Sequence, residues 1–347
     1  MVSPVQTFKV QDQLERPLRS LRLSVTDRCN LRCDYCMPEE NYNWLPKADL
    51  LSLEEHARLA RSFMKLGVTR IRLTGGEPLL RKNLHALVEM LSACPELEDL
   101  AMTTNATLLS KYAADLHSAG LQRITVSLDS LEPHTFHQLT RRDSLQDAIQ
   151  GIEAAVKAGF TALKINMVVL RDVNHGEIGS MLRFAGQVGA EIRFIEYMDV
   201  GGANKWQEEQ VVSQNEILRI VENEFGTITS AAAPKHAPAQ NFTLESGQRF
   251  GIIASTTNPF CATCDRSRIT ADGMWYHCLY SPSGISLREH LRKDDGQGKL
   301  ENLITQHWTT RKDQGAKERL LADNRGPLIP LSQLKRNPRL EMHTRGG

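Results

Sequence analysis

The chain contains no run of 18 or more apolar residues, so no segment is long enough to cross a bilayer as a helix. It has almost no excess of either charge: 42 Lys and Arg stand against 41 Asp and Glu, a net charge of +1. A nucleic-acid binder ordinarily shows a strong basic excess. Nucleic acid is therefore not expected as a partner, and any anionic ligand must be met by local cations. The opening stretch, Met1 to Val10, lacks the basic-then-apolar pattern of a secretory signal, so a cytoplasmic location is expected. Cysteine is scarce. The seven cysteines are odd in number and fall into two trios with Cys94 apart, unlike a secreted disulfide framework. Cys94 stands in a helix-like stretch and reads as a small core residue.

What is present begins with the loop Thr26 to Glu40, where Cys29, Cys33 and Cys36 are spaced C-x3-C-x2-C. A tetrahedral zinc site wants four ligands, and no fourth Cys or His lies nearby. A disulfide would leave one thiol over. A 4Fe–4S cube on three thiolates leaves one iron without a protein ligand, open to a small molecule. A structural zinc or ferredoxin-like loop is the alternative. The spacing, with Tyr35 just before the third Cys, resembles the signature of the radical S-adenosylmethionine (SAM) enzymes. That resemblance implies that the open iron chelates the amino and carboxylate groups of SAM. Reduction by an electron donor then cleaves SAM to a 5′-deoxyadenosyl radical.

With 347 residues and 41% hydrophobic composition, the chain can bury a large core, and two domains are expected. From residue 52 a unit recurs: a helix opens on a small polar cap, closes on Gly, and a strand follows. Ser52-Leu53-Glu54-Glu55 reads as a capping box and Gly67 as a helix stop before strand 68–74. Ser110 and Gly120 bracket a helix before strand 121–128, and Ser144 and Gly159 one before 160–168. Gly189 precedes 190–195, and strands at 20–25 and 98–105 complete six. Alternation of strands and helices predicts parallel βα units. Six units are fewer than the eight of a closed barrel. The expected fold is α/β, a partial (β/α)6 TIM-like barrel followed by a smaller α+β domain. Periodicity alone leaves a doubly wound open sheet as the alternative. Ala231 to Gln240, rich in Ala and Pro, reads as a linker, dividing 1–230 from 231–347.

Side chains alternate across each strand. Leu21, Ile71, Met102, Ile124, Ile165 and Phe194 fall on apolar faces that should meet the helices. The opposite faces carry Arg22, Arg72, Lys164 and Arg193. Cations inside a barrel need partners. Internal carboxylates such as Glu77 and Glu196 could supply them, or a phosphate-bearing ligand, which Arg grips in bidentate fashion. Four cations together favour the phosphate.

Functional groups in barrels gather at strand C-terminal ends. There Gly75-Gly76-Glu77-Pro78 resembles the glycine motif of the radical SAM family, whose backbone meets the SAM amino group. Ser127 and Met198 also match family SAM contacts. The family pattern Thr-Thr-Asn-Gly is replaced by Thr103-Thr104-Asn105-Ala106. Ala106 should therefore take negative φ, or the family backbone would be strained.

A second trio, Cys261, Cys264 and Cys278, follows as C-x2-C-x13-C. It again reads as an open 4Fe–4S site, with zinc completed by His277 as the alternative. If the chain after Cys264 is extended, Arg266 and Arg268 share that cysteine's face, and Ala271-Asp272-Gly273 turns the chain back toward Cys278. The chain ends Arg345-Gly346-Gly347, which reads either as a frayed end or as a slim arm able to enter a narrow pocket.

Together with Arg-Pro-Leu-Arg-Ser-Leu-Arg before the first loop, these features resemble the GTP 3′,8-cyclase family of molybdenum cofactor biosynthesis over nearly the whole chain. The resemblance implies two 4Fe–4S clusters and SAM as cofactors, and GTP as substrate. It places Arg22, Arg72, Thr103, Lys164, Arg266 and Arg268 on GTP, and Tyr35, Gly76, Ser127 and Met198 on SAM. It brings Gly346 and Gly347 into the active site as residues needed for activity. The product implied is (8S)-3′,8-cyclo-7,8-dihydroguanosine 5′-triphosphate. A radical SAM enzyme that modifies a peptide is the alternative, since such enzymes also carry auxiliary clusters. A non-enzymatic zinc module is a third. A monomer or homodimer is expected, without membrane contact.

Overall fold

The structure is a computed structural model that describes residues 10–200, 206–232, 236–293, 298–323 and 325–346. Its frame is β1 (Ser20–Ser24), β2 (Arg70–Thr74), β3 (Asp99–Thr104), β4 (Arg123–Ser127), β5 (Leu163–Val169) and β6 (Glu191–Glu196). These strands lie side by side in chain order, each parallel to the next. A doubly wound sheet reverses its strand order part-way. No reversal occurs here, so the barrel-like alternative is the one adopted. The crossovers carry α1 (Leu53–Lys65), α2 (Leu84–Ser92), α3 (Leu109–Ser118), α4 (Pro133–Thr140), α5 (Leu145–Lys157) and α6 (Ile178–Gln187).

The local chemistry explains these bounds. Ser52 and Glu55 form the reciprocal capping box that starts α1. Gly67 and Gly120, at φ 109° and 97°, end their helices in a conformation that an L side chain resists. The apolar strand faces do meet the helices: Leu21, Ile71, Met102, Ile124, Ile165 and Phe194 all belong to one continuous core. Each such side chain contributes about 1.5–3 kcal/mol by burial.

The C-terminal part adds α7 (Gln214–Phe225), β7 (Ile228–Ala231), β8 (Gln240–Leu244), β9 (Arg249–Ile253), β10 (Arg266–Ile269), β11 (Met274–Tyr276) and β12 (Ile285–Ser286). It flanks the frame on both edges. Among the described residues the sheet runs β12-β11-β10-β1-β2-β3-β4-β5-β6-β9-β8-β7. Strand β10 is parallel to β1, and β9 to β6, so one further parallel strand extends the six at each side. Strands β7 and β8 form an antiparallel pair, and residues 233–235 of the expected linker between them lie outside the described residues. Among the described residues no helix is long and apolar enough to cross a membrane.

Candidate active site

Strand register sets the charge pattern of the interior. Arg22 on β1 stands opposite Arg268 on β10 and opposite Arg72 on β2, so three guanidinium groups occupy one row across adjacent strands. Like charges placed directly opposite repel. Burial, then Arg268, Arg266 and Arg72, push the Arg22 pKa well down. Burial, then Arg123 and Arg193, bring Arg72 to about 10. Arginine does not give up its proton in this range. These shifts therefore measure how unfavourably the charges are housed.

The cations differ in their partners. Lys164 pairs with Glu191 at 2.6 Å, and Arg193 reaches the same carboxylate at 3.1 Å. Glu77 and Glu196, the carboxylates expected to serve, are occupied otherwise. Glu77 accepts from Thr104 Oγ1 (2.7 Å) and from the backbone N–H groups of Asn105 (2.8 Å) and Leu79 (3.0 Å). Glu196 accepts from the backbone of Gln214, Thr256 and Thr257. Among the described residues Arg22, Arg72, Arg266 and Arg268 form no ion pair with a carboxylate. Among the described residues Arg72 donates to Thr103 Oγ1 (3.2 Å) and Thr125 Oγ1 (3.0 Å). Arg266 lies over the Phe260 ring, 4.6 Å from its centroid.

These side chains open onto one cavity of about 730 Å³. Both cysteine trios line it, as do Tyr35, Gly76, Ser127, Met198, Arg22, Arg72, Thr103, Lys164, Arg266 and Arg268. Residues separated by more than 200 positions thus share one chamber.

The first cysteine loop is pinned from two sides. Arg32 and Asp34 donate their backbone N–H to the carbonyls of Thr140 and Leu139 at the end of α4. Gly76 and Glu77 donate theirs to the carbonyls of Thr26 and Arg28, at 3.0 and 2.7 Å. A Cβ on Gly76 would overlap the Arg28 carbonyl, so glycine is required there for close packing. Tyr35 donates its hydroxyl to Asp129 at 2.5 Å. Burial raises the Asp129 carboxyl to about 6 and pushes the thiols of Cys33 and Cys36 up. All six thiols of the two trios are free.

In the second trio Cys264 differs from its neighbours. Burial raises its thiol, but Arg266 and Arg311 more than offset that and bring it down to about 7. Cys278 is pushed up to about 11, chiefly by burial. His277 packs edge-on against Trp275 at 4.4 Å, and burial lowers it to about 4. Among the described residues no group of three or more His, Cys, Asp or Glu side chains is arranged to hold a single metal ion. Cys261, Cys264 and Cys278 all line the chamber, and three soft sulfur donors there would suit an iron–sulfur cluster.

The C-terminal residues reach two arginines of the chamber wall. Arg22 Nη1 and Arg268 Nη1 both donate to the Gly346 carbonyl, at 2.6 and 2.9 Å. Gly346 takes φ +63°, and a Cβ on it would overlap Thr74 Oγ1. Gly347 lies outside the described residues.

Residues 23–185 match the family model for the Radical SAM superfamily, and residues 190–317 match the one for Molybdenum Cofactor Synthesis C. GTP 3′,8-cyclase 1 of Mycobacterium tuberculosis is 50% identical over 353 aligned positions, covering 100% of this chain and 98% of that protein. The chain belongs to the GTP 3′,8-cyclase family. The GTP 3′,8-cyclase of Aquifex aeolicus is 42% identical, covering 97% of this chain and 99% of that protein. Among solved structures, Streptococcus suis SuiB bound to S-adenosylmethionine aligns with a TM-score of 0.60 at 15% identity, covering 84% of this chain and 68% of that one. At that identity the likeness shows the fold, a radical SAM partial barrel.

Two features settle alternatives that the sequence left open. Ala106 takes the strained alternative: it sits at φ +63°, fully buried. An L residue there costs about 1–2 kcal/mol. Glu191, rather than Glu77 or Glu196, pairs with Lys164 and Arg193. Sequence reasoning also passed over Asp129, which follows β4 and holds Tyr35. Its place just past a strand end was the available signal.

Proposed function

We infer that the chain converts GTP to (8S)-3′,8-cyclo-7,8-dihydroguanosine 5′-triphosphate, an early step toward the molybdenum cofactor. The observation that supports this most is the single chamber, onto which both cysteine trios and the arginine row open. Residues 1–230 would supply the SAM half of the site, and 231–347 the auxiliary half.

Cys29, Cys33 and Cys36 would hold one 4Fe–4S cluster, and Cys261, Cys264 and Cys278 the other. When bound, the reduced first cluster with SAM supplies the radical that removes the hydrogen from C3′ of GTP. The C3′–C8 bond then forms within the same nucleotide, and one electron and one proton complete the product. The residues of the chain bind and orient. Tyr35, Gly76, Ser127 and Met198 would line the SAM end. Arg22, Arg72, Thr103, Lys164, Arg266 and Arg268 would hold GTP, whose triphosphate offers the negative charge that the unpaired guanidiniums lack. That charge pattern favours a nucleotide over a peptide. Holding C3′ close to C8 contributes up to about 7–11 kcal/mol in well-oriented cases. Gly346 would stand beside the chamber, braced by Arg22 and Arg268.

The test is anaerobic reconstitution with iron and sulfide, followed by SAM, dithionite and GTP. The cyclised nucleotide is expected together with 5′-deoxyadenosine. Deoxyadenosine without a cyclised product would overturn the substrate assignment. A colourless protein carrying zinc would overturn the enzyme reading.

A further inference from the structure

Two buried arginines from opposite ends of the chain meet behind the second cysteine trio. Arg16 precedes β1 and is 1% exposed. Its Nε donates to Asp12 Oδ2 at 2.6 Å, and its Nη1 donates to the carbonyls of Cys261 (3.0 Å) and Asp313 (2.8 Å). Arg311 follows the helix Lys299–Thr309. Its Nη1 donates to the Cys264 carbonyl at 3.0 Å, and it pairs with Asp12 at 3.4 Å and Asp313 at 3.0 Å. The Trp308 ring lies 4.5 Å below its guanidinium, and Trp308 Nε1 donates to the Arg16 carbonyl at 3.2 Å. Two cations balance two carboxylates, and the two guanidiniums hold the backbone of two of the three cysteines. The third is fixed by close packing: a Cβ on Gly315 would come within 3.3 Å of Cys278 Sγ.

A buried ionic network of this kind costs desolvation that apolar packing would avoid. Its position against the cysteine carbonyls is what gives it a use. One donor is left over. Arg16 Nη2 is buried and has no hydrogen-bond partner, on a side chain that lines the chamber next to Cys261. A buried donor without an acceptor is costly. Thiolate and sulfide sulfurs are acceptors, and hydrogen bonds to them tune an iron–sulfur centre.

We propose that Arg16 and Arg311 are positioning residues for the second cysteine trio, and that Arg16 Nη2 donates to a sulfur of the group this trio holds. The proposal rests on the reading that the trio holds an iron–sulfur cluster.

The test uses the full chain with Cys29, Cys33 and Cys36 changed to Ala, so that only the second trio takes up iron. Arg16→Gln and the milder Arg16→Lys are compared with the unchanged Arg16. Loss of iron to a chelator is followed, and the EPR signal of the reduced centre is recorded. Outer partners of metal ligands are commonly worth 10–100-fold. Arg16→Gln is expected to speed iron loss about ten-fold and to change the EPR signal, with Arg16→Lys between the two. In a companion pair that keeps only the first trio, the same substitutions should leave iron retention within two-fold.

Wild-type retention and an unchanged signal in both variants would overturn the proposal. Equal loss from both trios would also overturn it, because the arginine would then serve the fold at large. If Arg16→Gln yields no folded protein, Arg16→Lys decides on the same criteria. If the second trio takes up no iron even with Arg16 present, the cluster reading itself fails, and the proposal falls with it.

Discussion

At the scale of single residues, Gly346 has a tightly constrained place. Gly346 reaches Arg22 and Arg268 only because nothing projects from its Cα toward Thr74. Gly346→Ala should displace the chain end. Misplacement of about 1 Å near a reacting centre costs roughly 100-fold, so a comparable drop in cyclised product is expected while the melting temperature stays near that of the parent. A product assay beside thermal unfolding checks both. A second expectation concerns the metal-free protein. Burial opposes ionisation of Cys264, but Arg266 and Arg311 bring its thiol to about 7, whereas burial holds Cys29 at about 11. Its thiolate fraction should rise through neutral pH. Mass-spectrometric mapping of alkylation should find Cys264 labelled well before Cys29, and Arg266→Gln should shift that profile to higher pH. Arg22, Arg72 and Lys164 were legible as interior cations because alternation along a strand fixes which way each points. Their pairing was not legible. Glu191 meets Lys164 through the register of β5 against β6, and no pattern within either strand states that register.

Among elements, the turn after β2 ties the fold to the site. The backbone of Gly76 and Glu77 hydrogen-bonds to that of Thr26 and Arg28, so the first cysteine loop is laid directly on a strand end. Gly76→Ala forces a methyl group against the Arg28 carbonyl. Overpacking of this kind costs about 1–3 kcal/mol, measurable by urea unfolding, and iron uptake by the first trio should fall with it. The helix whose end carries a chemical signal was readable: Ser52 with Glu55 forms the capping box its spacing predicts, and the structure has another at Ser213 with Glu216. α4 was not readable, for it begins on Pro133 with no side-chain cap and spans only eight residues. The short strands β7, β11 and β12, of four, three and two residues, hold too little alternation to be seen. Their pairing comes from neighbours in space.

For the whole molecule, the unexpected finding is where the C-terminal half goes. Composition placed it after the barrel as a smaller domain. In the fold its strands pair with both edges of the frame, β10 with β1 and β9 with β6. Long-range pairing of this kind leaves no local trace in a sequence. A fragment of residues 1–230 would expose both edges, and unpaired edges template association. Size-exclusion chromatography should find that fragment aggregated, while the full chain runs as a defined species. The row Arg268–Arg22–Arg72 has a further consequence. With neither nucleotide nor counterion, the chamber holds mutual repulsion that folding had to overcome. Any multivalent anion small enough to enter relieves it. Inorganic tripolyphosphate should therefore raise the melting temperature of the metal-free protein through mass action. Part of that gain should fade in molar sodium chloride, where the screening length shrinks to about 3 Å. Phosphate buffers would then act as silent competitors of GTP, and affinities measured in them would understate the grip of the chamber on its nucleotide.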